Sequence, residues 1–192
     1  MTPLEPEPRP PLLVLAVGNP SRGDDALGPL LLEGLTADGL AAQGDVELLT
    51  DFQLQVEHAL DLEGRQAVLF VDAARPGAAA GLELSPLQTS TRMAAHSHAL
   101  SPPEVLQVAL RLTGTMPPAW QLALEGQCFD LGAEISPLAH HHLEQARPMV
   151  REWVCARRAD MARGDVPGGV SGAQPLGAGG SVRTIPARAA GD

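Results

Sequence analysis

The sequence contains no lysine and no tyrosine, and only three phenylalanines and two tryptophans. These scarcities follow a lean towards Ala, Gly, Pro and Arg, and no function is read from them. Cysteine is nearly absent as well: Cys128 and Cys155 are too few for a disulfide framework. No motif sets a histidine beside Cys128 to make it a nucleophile. No apolar run reaches the length of a membrane span, and residues 1–11, proline-rich and acidic, are unlike a secretion signal. Positive charge is short too. Residues 1–156 carry 20 acids against 8 arginines, so that part stands near −12 while the whole chain stands at −10. Such a surface argues against nucleic acid or an anionic membrane as the main partner. A soluble, cytoplasmic, monomeric protein is the expectation.

At 192 residues and 44% hydrophobic composition, the chain can bury one good core. Its organising stretch is Gly18-Asn19-Pro20-Ser21-Arg22-Gly23-Asp24-Asp25-Ala26-Leu27-Gly28. Before it stands a continuous apolar run, Leu12 to Val17, that reads as a strand buried on both faces. After it, Leu30, Leu31, Leu32 and Leu35 are spaced as a helix face extending to about Thr36. Strand, glycine-bearing turn and helix open an α/β sheet whose ligands bind beyond the carboxyl ends of the strands. The phosphate fingerprint G-x-G-x-x-G does not follow this strand. Two adjacent carboxylates stand at the mouth instead, which would repel a pyrophosphate and attract a cation. One of them can be a helix cap; two exceed what a cap requires.

Further along, Val46–Thr50 reads as a strand ending at Asp51, Gln53–Leu62 as a helix, and Ala67–Val71 as a strand ending at Asp72. Asp72 suits a site at the end of a central strand, or it accepts bonds from the following Arg75-Pro76-Gly77 turn. Leu82–Leu87 alternates like an edge strand, which Pro86 supports. His96 and His98 stand two apart in an extended stretch and can face the same way. Ser101-Pro102-Pro103-Glu104 is a helix start with cap, proline and third-position acid. Trp120–Leu124 reads as the last strand, and Ser136-Pro137 opens a helix reaching about Arg158. The run His140-His141-His142 reads as solvated surface, because successive helical side chains are splayed about 100° apart and cannot share one ion. The expected architecture is an α/β three-layer sandwich, an open, mostly parallel, twisted sheet of about five strands with helices on both faces. The expected boundaries are a disordered arm at 1–11, the α/β domain at 12–160, and a Gly/Ala/Pro-rich disordered tail at 161–192.

GNPSRGDDALGP after LLVLAV, VLFVDA at the third strand and SHALSP before the next helix together resemble the hydrogenase maturation proteases. These are the endopeptidases that remove the C-terminal extension of a NiFe-hydrogenase large-subunit precursor. The resemblance covers roughly residues 12–158. Gly18, Asn19, Asp24, Asp25 and Gly28 match the family's turn, while Ser21 and Arg22 stand where the family usually has apolar residues, and Ala26 where Gly is common. The resemblance implies that Asp25, Asp72 and His98 bind nickel, with His96 as the fallback ligand. It also implies catalytic roles for Asp25 and Asp72, and by a looser match for Asp51. The segment PPAW…FDLG…SPL is similar to members serving NAD-reducing hydrogenases.

Two carboxylates and an imidazole suit Ni²⁺ or Zn²⁺ but hold the ion less firmly than thiolates would. Three protein ligands leave positions open for a partner's ligands. The expectation is therefore nickel carried by the precursor and bound weakly by the enzyme alone. With no Ser–His or Cys–His pair evident, cleavage through a metal-polarised carbonyl or a carboxylate-assisted water is expected. Two other classes share part of the pattern. A non-catalytic nickel chaperone or scaffold for hydrogenase assembly would keep the ligands and leave precursor length unchanged. A nucleotide-dependent α/β enzyme would need a phosphate cradle.

Overall fold

The structure, a computed structural model, describes residues 9–79, 81–87 and 100–165. Five strands form one sheet: β1 (Leu12–Val17), β2 (Val46–Asp51), β3 (Ala67–Ala74), β4 (Leu82–Leu87) and β5 (Ala119–Glu125). The helices are α1 (Leu27–Ala37), α2 (His58–Asp61), α3 (Pro102–Thr113) and α4 (Pro137–Arg163), with a 3₁₀ turn at Gly23–Ala26. The strand order is β2-β1-β3-β5-β4, parallel except for β4, which runs antiparallel to β5 at the edge. This is the three-layer α/β sandwich expected, with the proline-bearing strand outermost, where a missing ladder donor costs least.

Both faces of the central strands are covered, which is why β1 reads as an unbroken apolar run. Alternate residues Leu12, Val14 and Ala16 face α1 and α4, joining Leu31, Leu35, Val150 and Trp153 in one core. Leu13, Leu15 and Val17 face the opposite side, with Leu54, Phe70, Val105 and Leu106. On the first side, Trp153 of α4 meets Trp120 edge-on at 5.7 Å. Further along α4, Arg158 grips Asp45 through two bonds of 2.6 and 2.8 Å. That pairing holds the Asp45 carboxyl below its ordinary range.

Four expectations need correcting. The stretch from Gln53 is not a full helix; only His58–Asp61 is helical. Tertiary demands win over the 3.6-residue pattern here. The Leu54 carbonyl accepts a bond from the Leu100 N–H (3.0 Å), and the Gln55 N–H donates to the His58 ring rather than to a helix. Val56 and Leu60 are consequently half exposed. The last helix continues past Arg158 to Arg163, where Gly164 closes it in the left-handed conformation. Of the three neighbouring histidines, His140 and His141 are exposed, but His142 is buried with Nδ1 2.7 Å from the Glu125 carbonyl oxygen. Residues 9–11 of the expected arm dock on the domain. The carbonyls of Pro10 and Pro11 accept from Arg65 (2.6 Å) and Gln66 (2.7 Å), since prolines lack donors but keep their acceptors. No helix among the described residues is long and apolar enough to cross a membrane.

Candidate active site

The chain leaves β1 for β2 on one side and places β3 on the other, so the sheet's topological switch point lies between β1 and β3. The turn after β1 carries Asp24 and Asp25, and β3 carries Asp72. Gly18 begins that turn at φ 146, and a Cβ there would lie 1.9 Å from the Asp25 carbonyl oxygen. No other residue lets the chain fold back so tightly on the acidic pair.

The two adjacent acids have separate tasks. Asp24 is fully buried and accepts four hydrogen bonds: from the Gln127 N–H (2.6 Å), the Cys128 N–H (3.0 Å), the Ser136 N–H (2.6 Å) and the Ser136 hydroxyl (2.7 Å). Burial pushes its carboxyl up, but those bonds outweigh it and hold it below the ordinary range. It caps no helix; it ties the β1 turn to the connection between β5 and α4. Gly126 makes room for it, since a Cβ at that position would meet the Asp24 Cβ at 2.6 Å.

Asp25 is half-buried and faces the other way. Its Oδ2 accepts from the Asn19 N–H at 3.0 Å, while Oδ1 receives no hydrogen bond among the described residues. It lines a cleft of ≈ 490 Å³ together with Asp72, Gln121 and the start of α3 at Ser101 and Pro102. Desolvation raises the Asp72 carboxyl, a bond from the Ala73 N–H lowers it, and the charge of Asp25 raises it again, leaving it at about 6. The turn reading of Asp72 fails, because Glu125 serves that loop instead, accepting from the Gly77 N–H (2.8 Å) and the Gly81 N–H (3.0 Å). The start of α3 is no anion cradle either. Pro102 and Pro103 remove two of its leading N–H donors, and Glu104 turns back to the Ser101 N–H at 2.7 Å. Two mutually repelling carboxylates, facing a helix start that offers no anion cradle, form a place for a cation.

Asp51 lines an adjoining hollow of ≈ 320 Å³ with Gly18, Pro20 and Phe52, and Gly18 and Phe52 also line the cleft. Its carboxylate is steered by a residue that sequence reasoning missed. His58 is buried; its Nδ1 accepts from the Gln55 N–H at 2.9 Å, which leaves the ring proton on Nε2, 3.3 Å from Asp51 Oδ2. A histidine in an ill-formed helix gives no such signal in one dimension. His98 and its fallback His96 lie outside the described residues, and no group of three potential metal ligands forms among those described. Among the described residues, the Cys128 thiol has only the Asp130 carboxylate as a hydrogen-bond partner, at 3.9 Å, and so is not set up as a nucleophile.

No protein-family model and no curated protein matches the sequence. Solved structures do. The chain is similar to the NiFe hydrogenase maturation protease HycI from Thermococcus kodakarensis KOD1, at 25% identity and a TM-score of 0.60 over 76% of this chain and 93% of that one. It is also similar to the hydrogenase maturating endopeptidase HybD from E. coli, at 22% identity and a TM-score of 0.56 over 72% of this chain and 88% of that one. HybD from Thermococcus kodakarensis matches at 15% identity and a TM-score of 0.55, over 74% and 97%.

Proposed function

We propose that this chain, which has the fold of the hydrogenase maturation proteases, is an endopeptidase that removes the C-terminal extension of a NiFe-hydrogenase large-subunit precursor after nickel insertion. The observation that carries the reading is the pairing of Asp25 and Asp72 in one cleft at the switch point of that fold. Nickel enters as part of the substrate, already on the precursor's cysteines. Asp25 and Asp72 are the carboxylates that would receive it, with His98 as the third ligand implied by the resemblance. The arrival of a cation relieves the repulsion between the two acids and favours the ionised form of Asp72. Recognition of the loaded precursor should therefore weaken as pH falls below about 6. Asp51, held by His58 in the adjoining hollow, is the carboxylate left to take a proton from the attacking water.

The test is cleavage of precursor prepared from nickel-replete and nickel-starved cells, followed by a gel shift. Only the loaded form should shorten, and isolated protease should retain little metal, because an open site without thiolates gains too little from desolvating the ion. Equal cleavage of both preparations removes nickel sensing from the reading. Binding without any shortening identifies a nickel chaperone instead. His58→Ala should lower processing on the order of 10-fold, the usual scale for losing a partner that orients a working ligand. His58→Gln, which keeps an N–H donor, should recover part of it. Unchanged rates in both variants would free Asp51 of any role.

A further inference from the structure

A third hollow, of ≈ 390 Å³, opens into the carboxylate cleft through the shared residues Asp25, Phe52 and Gln53. Its far wall is made by Arg22, Arg75 and Phe129. In this acidic chain most described arginines are tied to carboxylates: Arg9 to Asp61, Arg65 to Glu47, Arg151 to Asp38, Arg158 to Asp45, and Arg157 and Arg163 to Asp160. Arg22 and Arg75 form no ion pair among the described residues, and both are exposed. Arg75 lies over the Phe129 ring at 5.4 Å from its centroid, which steadies the guanidinium without satisfying its donors.

The backbone under Arg22 is also held in place. Its N–H donates to the Asn19 carbonyl (3.0 Å), the Ser21 N–H to Asn19 Oδ1 (2.9 Å), and the Ser21 carbonyl accepts from the Gly132 N–H (2.8 Å). Arg22 is one of the positions where the turn departs from the apolar residues usual in the family it resembles. Two guanidiniums with open donors, one lying over an aromatic ring and the other carried on a hydrogen-bonded turn, form a local positive spot beside the working carboxylates.

We infer that this hollow is a specificity subsite that receives an acidic side chain of the substrate's C-terminal extension, close to the bond that is cut. This rests on the protease reading above. Guanidinium matches carboxylate in two-point geometry. The acids elsewhere on the protein repel a carboxylate from other registers, so the spot sets which residue docks here. A side chain fits better than a chain end, because the hollow adjoins the cleft itself and an extension of several residues carries its terminus away. Phe52, 67% exposed on the shared edge, supplies apolar cover for the peptide between the two hollows.

The binding arm uses full-length protein and follows the arginine Nε–H signals by NMR. The probes are acetylated tetrapeptides: Ala-Glu-Glu-Ala amide, Ala-Gln-Gln-Ala amide, and Ala-Gln-Gln-Ala with a free carboxylate. The Glu peptide should move the Arg22 and Arg75 signals and bind about 5- to 10-fold better than either Gln peptide, the range expected for two partly exposed charge pairs. Arg22→Gln/Arg75→Gln should erase that preference. Equal binding of the Glu and Gln amides overturns the inference, as does a free-carboxylate Gln peptide that matches the Glu peptide. The second arm is cleavage of a large-subunit precursor with the acids of its extension intact or changed to amides. Wild-type protein should lose about 5- to 10-fold on the neutralised precursor, and the double variant nothing further. Cleavage indifferent to both changes overturns the subsite and leaves the protease reading standing. Peptide discrimination without cleavage of either precursor removes the protease reading and leaves an acidic-peptide site.

Discussion

Asp24→Ala is expected to destabilise the fold by about 3–5 kcal/mol, enough to bring a domain of ordinary stability close to unfolding. The carboxylate is fully buried and collects three backbone N–H groups and one hydroxyl from the segment 127–136. Alanine would leave those donors in a dry pocket without acceptors, and each buried unsatisfied donor costs about 1–3 kcal/mol. The melting temperature should fall by about 10–15 °C at pH 7. The sign of the pH dependence follows from the lowered carboxyl. Its stabilisation is complete above the unfolded value of about 4 and is lost as pH falls through the folded value. Wild-type and variant melting curves should therefore converge in acid. A shift of only a degree or two at pH 7 would mean that 127–136 is held by other contacts.

Asp72→Asn should do the reverse: abolish processing by at least about 100-fold and make the protein more stable near pH 8. Asp72 titrates at about 6 in the fold against about 3.9 in an unfolded chain. A raised carboxyl favours the native state when protonated. That advantage is complete below about pH 4 and disappears as pH rises through 6, above which the folded chain bears a desolvated charge at a cost of about 2–3 kcal/mol. Asparagine keeps the shape without the charge. Thermal melts should show the variant several degrees above wild type at pH 8 and level with it near pH 4. A variant less stable than wild type at pH 8 would show that the Asp72 carboxylate is solvated or paired in the native state. A stable, inactive Asp72→Asn would mark a residue retained for function at the expense of the fold.

The resemblance and the structural likeness lead to the same group of proteins by separate routes. Three short motifs carry the first, and a sheet order with a cleft at its switch point carries the second. Where an element depends on neighbours in sequence, the chain could be read directly. The apolar run Leu12–Val17 declares a strand buried on both faces, Ser101-Pro102-Pro103-Glu104 declares a capped helix start, and Pro86 in an alternating run declares an edge. Each rests on local periodicity or on a bond between residues a few positions apart. The Gln53–Leu62 stretch failed that test, because its apolar spacing imitated a helix while Leu54 and His58 were claimed by contacts elsewhere.

By itself, then, the sequence determined the α/β class, the order of the strands along the chain, and the placement of Asp25 in the turn after the first strand, Asp51 at the end of the second and Asp72 near the end of the third. The resemblance named Asp25, but local pattern alone could not say which acid of the pair faces the cleft. The partners of Asp24 lie 103 to 112 residues away, so only closure of the sheet makes it a buried tie and turns Asp25 outward. The same holds for the raised Asp72 carboxyl, the steering of Asp51 by His58, and the meeting of Arg22 with Arg75. Burial and charge act through space, and residues distant along the chain become neighbours only when the three layers pack.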